Sequence, residues 1–71
     1  MSITFLIPVY NEERTVKKAI EETINLKISN KEIIIIDNGS TDETPKIIKQ
    51  FQHQKDIKII LQKKTLDLEI Q

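Results

Sequence analysis

Four consecutive isoleucines, Ile33 to Ile36, limit the fold of this 71-residue chain more than any other feature. β-Branched side chains favour the pleated strand, and an unbroken apolar run reads as a strand buried on both faces. The run then breaks into Asp37, Asn38, the only glycine of the chain and the hydroxyls of Ser40, Thr41 and Thr44. A buried strand thus delivers a polar loop to one edge of a sheet. In an open α/β sheet ligands bind outside the carboxyl ends of the strands, so Asp37 is the first candidate for a ligand contact. The alternative is a loop carboxylate that caps local N–H groups.

The segments on either side supply the rest of a sheet. Ile3, Phe5, Leu6 and Ile7 are strand formers, and Pro8, which has no N–H to give a ladder, is expected to end the pairing. Tyr10 falls in the loop beyond. Asn11 suits a helix N-cap, with Glu12 and Glu13 in the first turn, where the helix dipole favours negative charge. Val16, Ala19, Ile20, Thr23 and Ile24 recur at helical spacing opposite Lys17, Lys18, Glu21 and Glu22, which predicts a helix of about four turns ending between Leu26 and Asn30. A second strand is expected over Glu32 to Asp37.

Ser40 and Glu43 have capping-box spacing, but a helix begun there would enclose Pro45. Thr44 as N-cap with Pro45 at the first helical position fits better, and this helix turns Ile47, Ile48 and Phe51 inward before fading near His53 to Lys55. A third strand covers Ile57 to Leu61. The order βαβαβ describes a Rossmann-like half of a doubly wound, mostly parallel sheet, with the loops after strands one and two brought to the same edge by right-handed crossovers. In that topology strand one leaves room for a further strand beside it.

Charge and composition narrow the partners. Eleven Lys and Arg balance eleven Asp and Glu, so no basic field exists to attract nucleic acid or an anionic membrane. The absence of cysteine removes disulfides and thiolate metal sites and fits a reducing, cytoplasmic setting. Ile3 to Val9 is too short to span a bilayer and has no basic flank, so no signal peptide or membrane segment is expected. A chain this short buries only about 60% of its unfolded surface, which makes any stability margin thin.

Ile7 to Ile24, reading IPVYNEERTVKKAIEETI, and Glu32 to Ile48, reading EIIIIDNGSTDETPKII, together resemble the opening of the family 2 glycosyltransferases of the type A nucleotide-sugar fold. Members commonly begin with a strand ending in P-x-Y-N-E and a second ending in D-D-G-S-x-D-x-T. The likeness spans residues 2 to about 62. It implies a pocket for the nucleoside of a sugar-nucleotide donor lined by Pro8, Tyr10, Glu12, Asp37 and, in place of the second acid of the family, Asn38. Physical chemistry agrees, because a tyrosine ring offers a stacking face and a carboxylate accepts hydrogen bonds from ribose hydroxyls or a base N–H. Asn38 keeps the hydrogen bonding but brings no charge.

Other parts of such an enzyme are missing from the sequence. With one glycine there is no phosphate-binding loop, and two glutamates at the start of the first helix would repel a phosphate. The resemblance implies that the pyrophosphate of a full-length relative is held by a divalent metal, Mg or Mn, on a D-x-D motif after the third strand. Asp67 and Glu69 imitate that spacing but follow the third strand too closely, so no metal ligand and no catalytic residue is assigned in this chain. His53 and the lysines at 17, 18, 63 and 64 read as solvated.

Residues 1–62 are thus expected to form a nucleotide-sugar-binding unit and residues 63–71 a divergent tail, as in a truncated, frameshifted or split chain. The expected function is the donor-binding amino-terminal portion of a glycosyltransferase that moves a sugar from a nucleoside diphosphate to an acceptor, inactive by itself. The alternative is a non-catalytic remnant or interaction module that dimerises, or pairs with a partner chain, through an exposed first strand.

Overall fold

The computed structural model describes residues 2–62. The tail expected from residue 63 onward, including Asp67 and Glu69, lies outside the described residues. The chain runs β1 (Ile3–Val9), α1 (Val16–Ile24), β2 (Lys31–Asn38), α2 (Thr44–Lys49) and β3 (Ile57–Gln62). The strands form one parallel sheet in the order β1-β2-β3. The βαβαβ order expected from the sequence is the order observed.

One cluster makes the core: Val9, Val16, Ile20, Ile33, Ile35, Ile48, Phe51 and Ile57. It draws on both helices, which therefore pack on the same face of the sheet, as two right-handed crossovers running in one direction require. β2 accordingly alternates. Ile33, Ile35 and Asp37 are buried under the helices, while Ile34 and Ile36 are only half-buried. The expectation of a strand buried on both faces is corrected here, because among the described residues helices cover one face only. Leu6, Pro8, Ile34, Ile36 and Ile60 share the open face by register, and Leu6 is 62% exposed.

Pro8 does not end the pairing. β1 continues through it, with Pro8 opposite Ile36 and Val9 opposite Asp37. The N–H of Ile3 donates to the Asn30 carbonyl at 3.1 Å, so odd positions of β1 direct their backbone groups toward β2 and even positions direct theirs away. Pro8 is an even position, and its missing N–H belongs to the side of β1 that has no neighbour among the described residues.

α1 is shorter than the apolar spacing predicts. Asn11 is not its N-cap: a turn in which Thr15 and Val16 both donate to the Glu12 carbonyl precedes the helix, and Glu12 and Glu13 lie outside its first turn. The helix stops at Ile24 because the buried stripe stops there; Leu26 is 43% exposed, and Asn30, at φ 57°, turns the chain into β2. α2 starts at Thr44 rather than Pro45, with Glu43 as the flanking residue. The N–H of Thr44 is taken by the Asp42 carboxylate at 2.8 Å.

Candidate functional site

Because Val9 and Asp37 are in register, the loops that follow β1 (residues 10–15) and β2 (residues 39–43) leave the sheet level with each other. They are then tied together, side chain to backbone, across about thirty residues of sequence. The successive N–H groups of Asn11, Glu12 and Glu13 donate to Ser40 Oγ at 2.8 Å, Thr44 Oγ1 at 2.8 Å and Asp42 Oδ2 at 3.3 Å. Three bonds run the other way, from the Thr41 N–H to Asn11 Oδ1 at 2.7 Å, from the Thr41 hydroxyl to the same oxygen at 3.4 Å, and from the Glu43 N–H to Glu13 Oε1 at 2.9 Å. The hydroxyls of Ser40 and Thr44 and the Asp42 carboxylate thereby accept from the backbone of the first loop.

Two residues of this clasp have unusual backbones. Asn11 stands at φ 49°, a left-handed conformation that asparagine tolerates better than most residues. Gly39, at φ 85°, occupies a conformation open to a residue without Cβ, and it turns the chain off β2.

Asp37 anchors the arrangement from below. It is 2% exposed, and its two carboxylate oxygens accept the Ser40 N–H, at 3.1 Å, and the Ser40 hydroxyl. Asp42 accepts the Thr44 N–H on Oδ1 at 2.8 Å and the Glu13 N–H on Oδ2 at 3.3 Å. Partial burial raises the Asp42 pKa, but hydrogen bonds from the Thr44 hydroxyl, the Thr44 N–H and the Glu13 N–H outweigh it and hold the carboxyl below its ordinary value. The Asp37 carboxylate thus orients the Ser40 hydroxyl, and the Ser40 and Thr44 hydroxyls each receive an N–H of the first loop.

The residues singled out from the sequence divide accordingly. Tyr10 is 52% exposed, Glu12 is exposed and Asn38 half-buried, and none of these three side chains enters a hydrogen bond or ion pair among the described residues. Tyr10 and Asn38 occupy matching positions, each one residue past the Val9–Asp37 pair. Pro8 is exposed on the open face of β1, two residues before Tyr10. Asp37 sits on the other face, beneath the helices, and its carboxylate is committed to Ser40. Sequence reasoning gave Asn11, Ser40, Thr41, Asp42 and Thr44 local turn and capping roles and so missed the clasp; one signal was asparagine, a residue that tolerates left-handed backbone, at the first loop position after Tyr10.

Among the described residues no three His, Asp or Glu side chains are grouped to hold a metal ion. No described helix is long and apolar enough to cross a membrane. What the edge offers chemically is an exposed aromatic ring, a carboxylate and an amide, all with unspent hydrogen bonding or stacking capacity, set on two tied loops.

Comparison with known proteins places these loops in context. Residues 4–70 match the family described as glycosyl transferase family 2. The chain is 41% identical over 58 residues to a poly-beta-1,6-N-acetyl-D-glucosamine synthase of Staphylococcus epidermidis, a match covering 82% of this chain and 14% of that protein. The synthase of the same name from Staphylococcus aureus strain COL is 41% identical over 54 residues, covering 76% and 13%. The crystal structure of S. aureus TarS 1-349 superposes with a TM-score of 0.77 at 20% identity, over 90% of this chain and 20% of that one. The chain therefore spans about one seventh of the synthases it resembles.

Proposed function

This chain belongs to glycosyl transferase family 2, and from that premise we propose that residues 2–62 are the donor-binding portion of a glycosyltransferase that takes a sugar from a nucleoside diphosphate. Its three parallel strands and two helices match the amino-terminal half of the type A glycosyltransferase fold. The observation that carries the proposal is the set of unspent side chains at the carboxyl edge of the sheet. Tyr10 supplies a stacking face for the base, and Glu12 and Asn38 supply acceptors and a donor for ribose hydroxyls and base N–H groups. Pro8 walls the pocket on the open face, and Asp37 supports it from inside the sheet.

The chain alone is inactive in this reading. The described residues offer no metal-binding group, so no step is assigned to a divalent ion; in a full-length relative, Mg or Mn would be held by residues other than these and would neutralise the pyrophosphate. Detectable turnover of any nucleotide-sugar by the purified chain would overturn the inactivity.

Titration with UDP, GDP and their sugar conjugates, followed by NMR with and without manganese, tests the binding. Metal-independent shifts at Tyr10, Glu12 and Asn38 are expected, and the preferred base identifies the donor class. Tyr10→Ala is expected to weaken binding about tenfold, since base–aromatic stacking is worth about 1–3 kcal/mol. A folded chain that shifts with none of these nucleotides would defeat the proposal.

A second reading rests on a separate observation. β1 has no neighbour on its outer side among the described residues, and Leu6 beside that edge is exposed. An interaction module that pairs through β1 with a second copy or a partner chain would use these features. It predicts self-association that is independent of nucleotide.

A further inference from the structure

We propose that Asp37 is a positioning residue, which through Ser40 holds Asn11 in its left-handed conformation and so sets the Tyr10 ring and the Glu12 carboxylate toward the ligand. The inference rests on the donor-binding reading for its ligand, but its structural half stands on the free protein. Asp37 is 2% exposed, and each of its carboxylate oxygens is occupied by Ser40, one by the N–H and one by the hydroxyl. The Ser40 hydroxyl has one hydrogen to give and gives it to Asp37. Its lone pairs are thereby turned toward the N–H of Asn11, which donates to it at 2.8 Å. Asn11 in turn receives the Thr41 N–H on Oδ1 at 2.7 Å, so it is held at both its backbone and its side chain while φ is 49°.

The position of Asn11 gives the relay its effect. It lies between Tyr10 and Glu12, and a residue at positive φ reverses the local course of the backbone. Losing the Ser40 bond leaves Asn11 held by its side chain alone and lets φ relax toward the favoured negative region, which swings the residues on either side. Glu12 has a second tether, its own N–H to Thr44 Oγ1 at 2.8 Å, and Tyr10 has none among the described side-chain bonds. Tyr10 is therefore the residue most dependent on the Asp37 relay.

A positioning role and a direct contact make opposite predictions for Ser40→Ala. That substitution leaves the Asp37 carboxylate in place and releases its oxygens, but it removes the acceptor for the Asn11 N–H. If Asp37 positions, the free variant shows displaced amide resonances at Tyr10, Asn11 and Glu12, and its affinity for UDP or GDP falls about tenfold, the loss that removing one tether of this kind produces. Ser40→Thr, which keeps a hydroxyl, restores both the resonances and the affinity to within about twofold.

Ile48→Val serves as the control for general destabilisation, because it trims the core away from the loops; it is expected to leave affinity unchanged. An affinity kept or raised in Ser40→Ala would assign Asp37 to direct contact and overturn the proposal. Unmoved resonances in the free variant would overturn it as well. Should the unmodified chain bind neither nucleotide, the donor-binding reading fails alone, and the resonances of the free variants still decide whether Asp37 sets the loop.

Discussion

At the scale of single residues, the site depends on positions that the sequence presents as something else. Asn11 before two glutamates has the form of a helix cap, yet it stands at φ 49° and serves a loop about thirty residues away. Asn11→Ala is expected to cost about 1–2 kcal/mol from the left-handed backbone alone, and more from the lost Thr41 bond, whereas Asn11→Gly recovers the backbone part. Urea denaturation of the two variants separates the contributions. Asp42 adds a pH dependence to the same clasp. Its folded pKa lies below the unfolded one, so its contribution is complete above the ordinary carboxylate pKa and is lost as pH falls through the folded value. The Glu13 and Thr44 amide resonances are expected to move together over that acidic range, and Asp42→Asn, which does not titrate, is expected to abolish the movement. Residue types alone make Tyr10, Glu12, Asp37 and Asn38 recognisable as polar or aromatic groups at strand ends. They do not say which carboxylate is already spent, because that depends on a hydroxyl from another loop.

At the scale of elements, legibility follows the length and purity of the apolar pattern. β2 and β3 emerge within one residue of the spans read from the sequence, since an isoleucine run and a short apolar segment leave few alternatives. The apolar spacing overshoots the end of α1 because helical spacing continues in the letters after burial has ended, and it stops β1 too early because a proline in a sequence does not show which side of the strand has a neighbour. That second point yields a contrast. Pro8→Ala is expected to change stability by about 1 kcal/mol or less, because the restored N–H points away from β2. Ile7→Pro, at a position whose N–H points toward β2, is expected to remove a ladder bond and unfold the chain. Thermal melts of the two variants, side by side, test the register directly. In the core, Ile20 is fully buried between α1 and the sheet, and Ile20→Ala is expected to cost about 2–5 kcal/mol, which a domain of this size hardly survives.

At the scale of the whole molecule, the decisive feature is a sheet that, among the described residues, is covered on one face. Leu6, Pro8, Ile34, Ile36 and Ile60 lie together on the other face, and the even-numbered amides and carbonyls of β1 point away from β2 beside them. A parallel sheet ordinarily has both faces covered, and an edge strand ordinarily carries a charge, a bulge or a cover. Here the Lys58–Glu32 pair, at 3.4 Å, charges the amino-terminal end of the open face, and Pro8 blunts the carboxyl-terminal end of the edge. The middle, at Leu6, has neither protection among the described residues. Burying an exposed leucine gains roughly 1.5–3 kcal/mol, enough to drive association once the edge also pairs. The 71-residue chain is therefore expected to self-associate as its concentration rises, and Leu6→Lys, which puts a charge at the centre of the patch without touching the buried core, is expected to return it to monomer. Sedimentation velocity across a concentration series distinguishes the outcomes. If the unmodified chain stays monomeric at every concentration, the open face and edge do not drive assembly; if Leu6→Lys alone abolishes association while nucleotide shifts at Tyr10 persist, the apolar face and the ligand edge of this small sheet act independently.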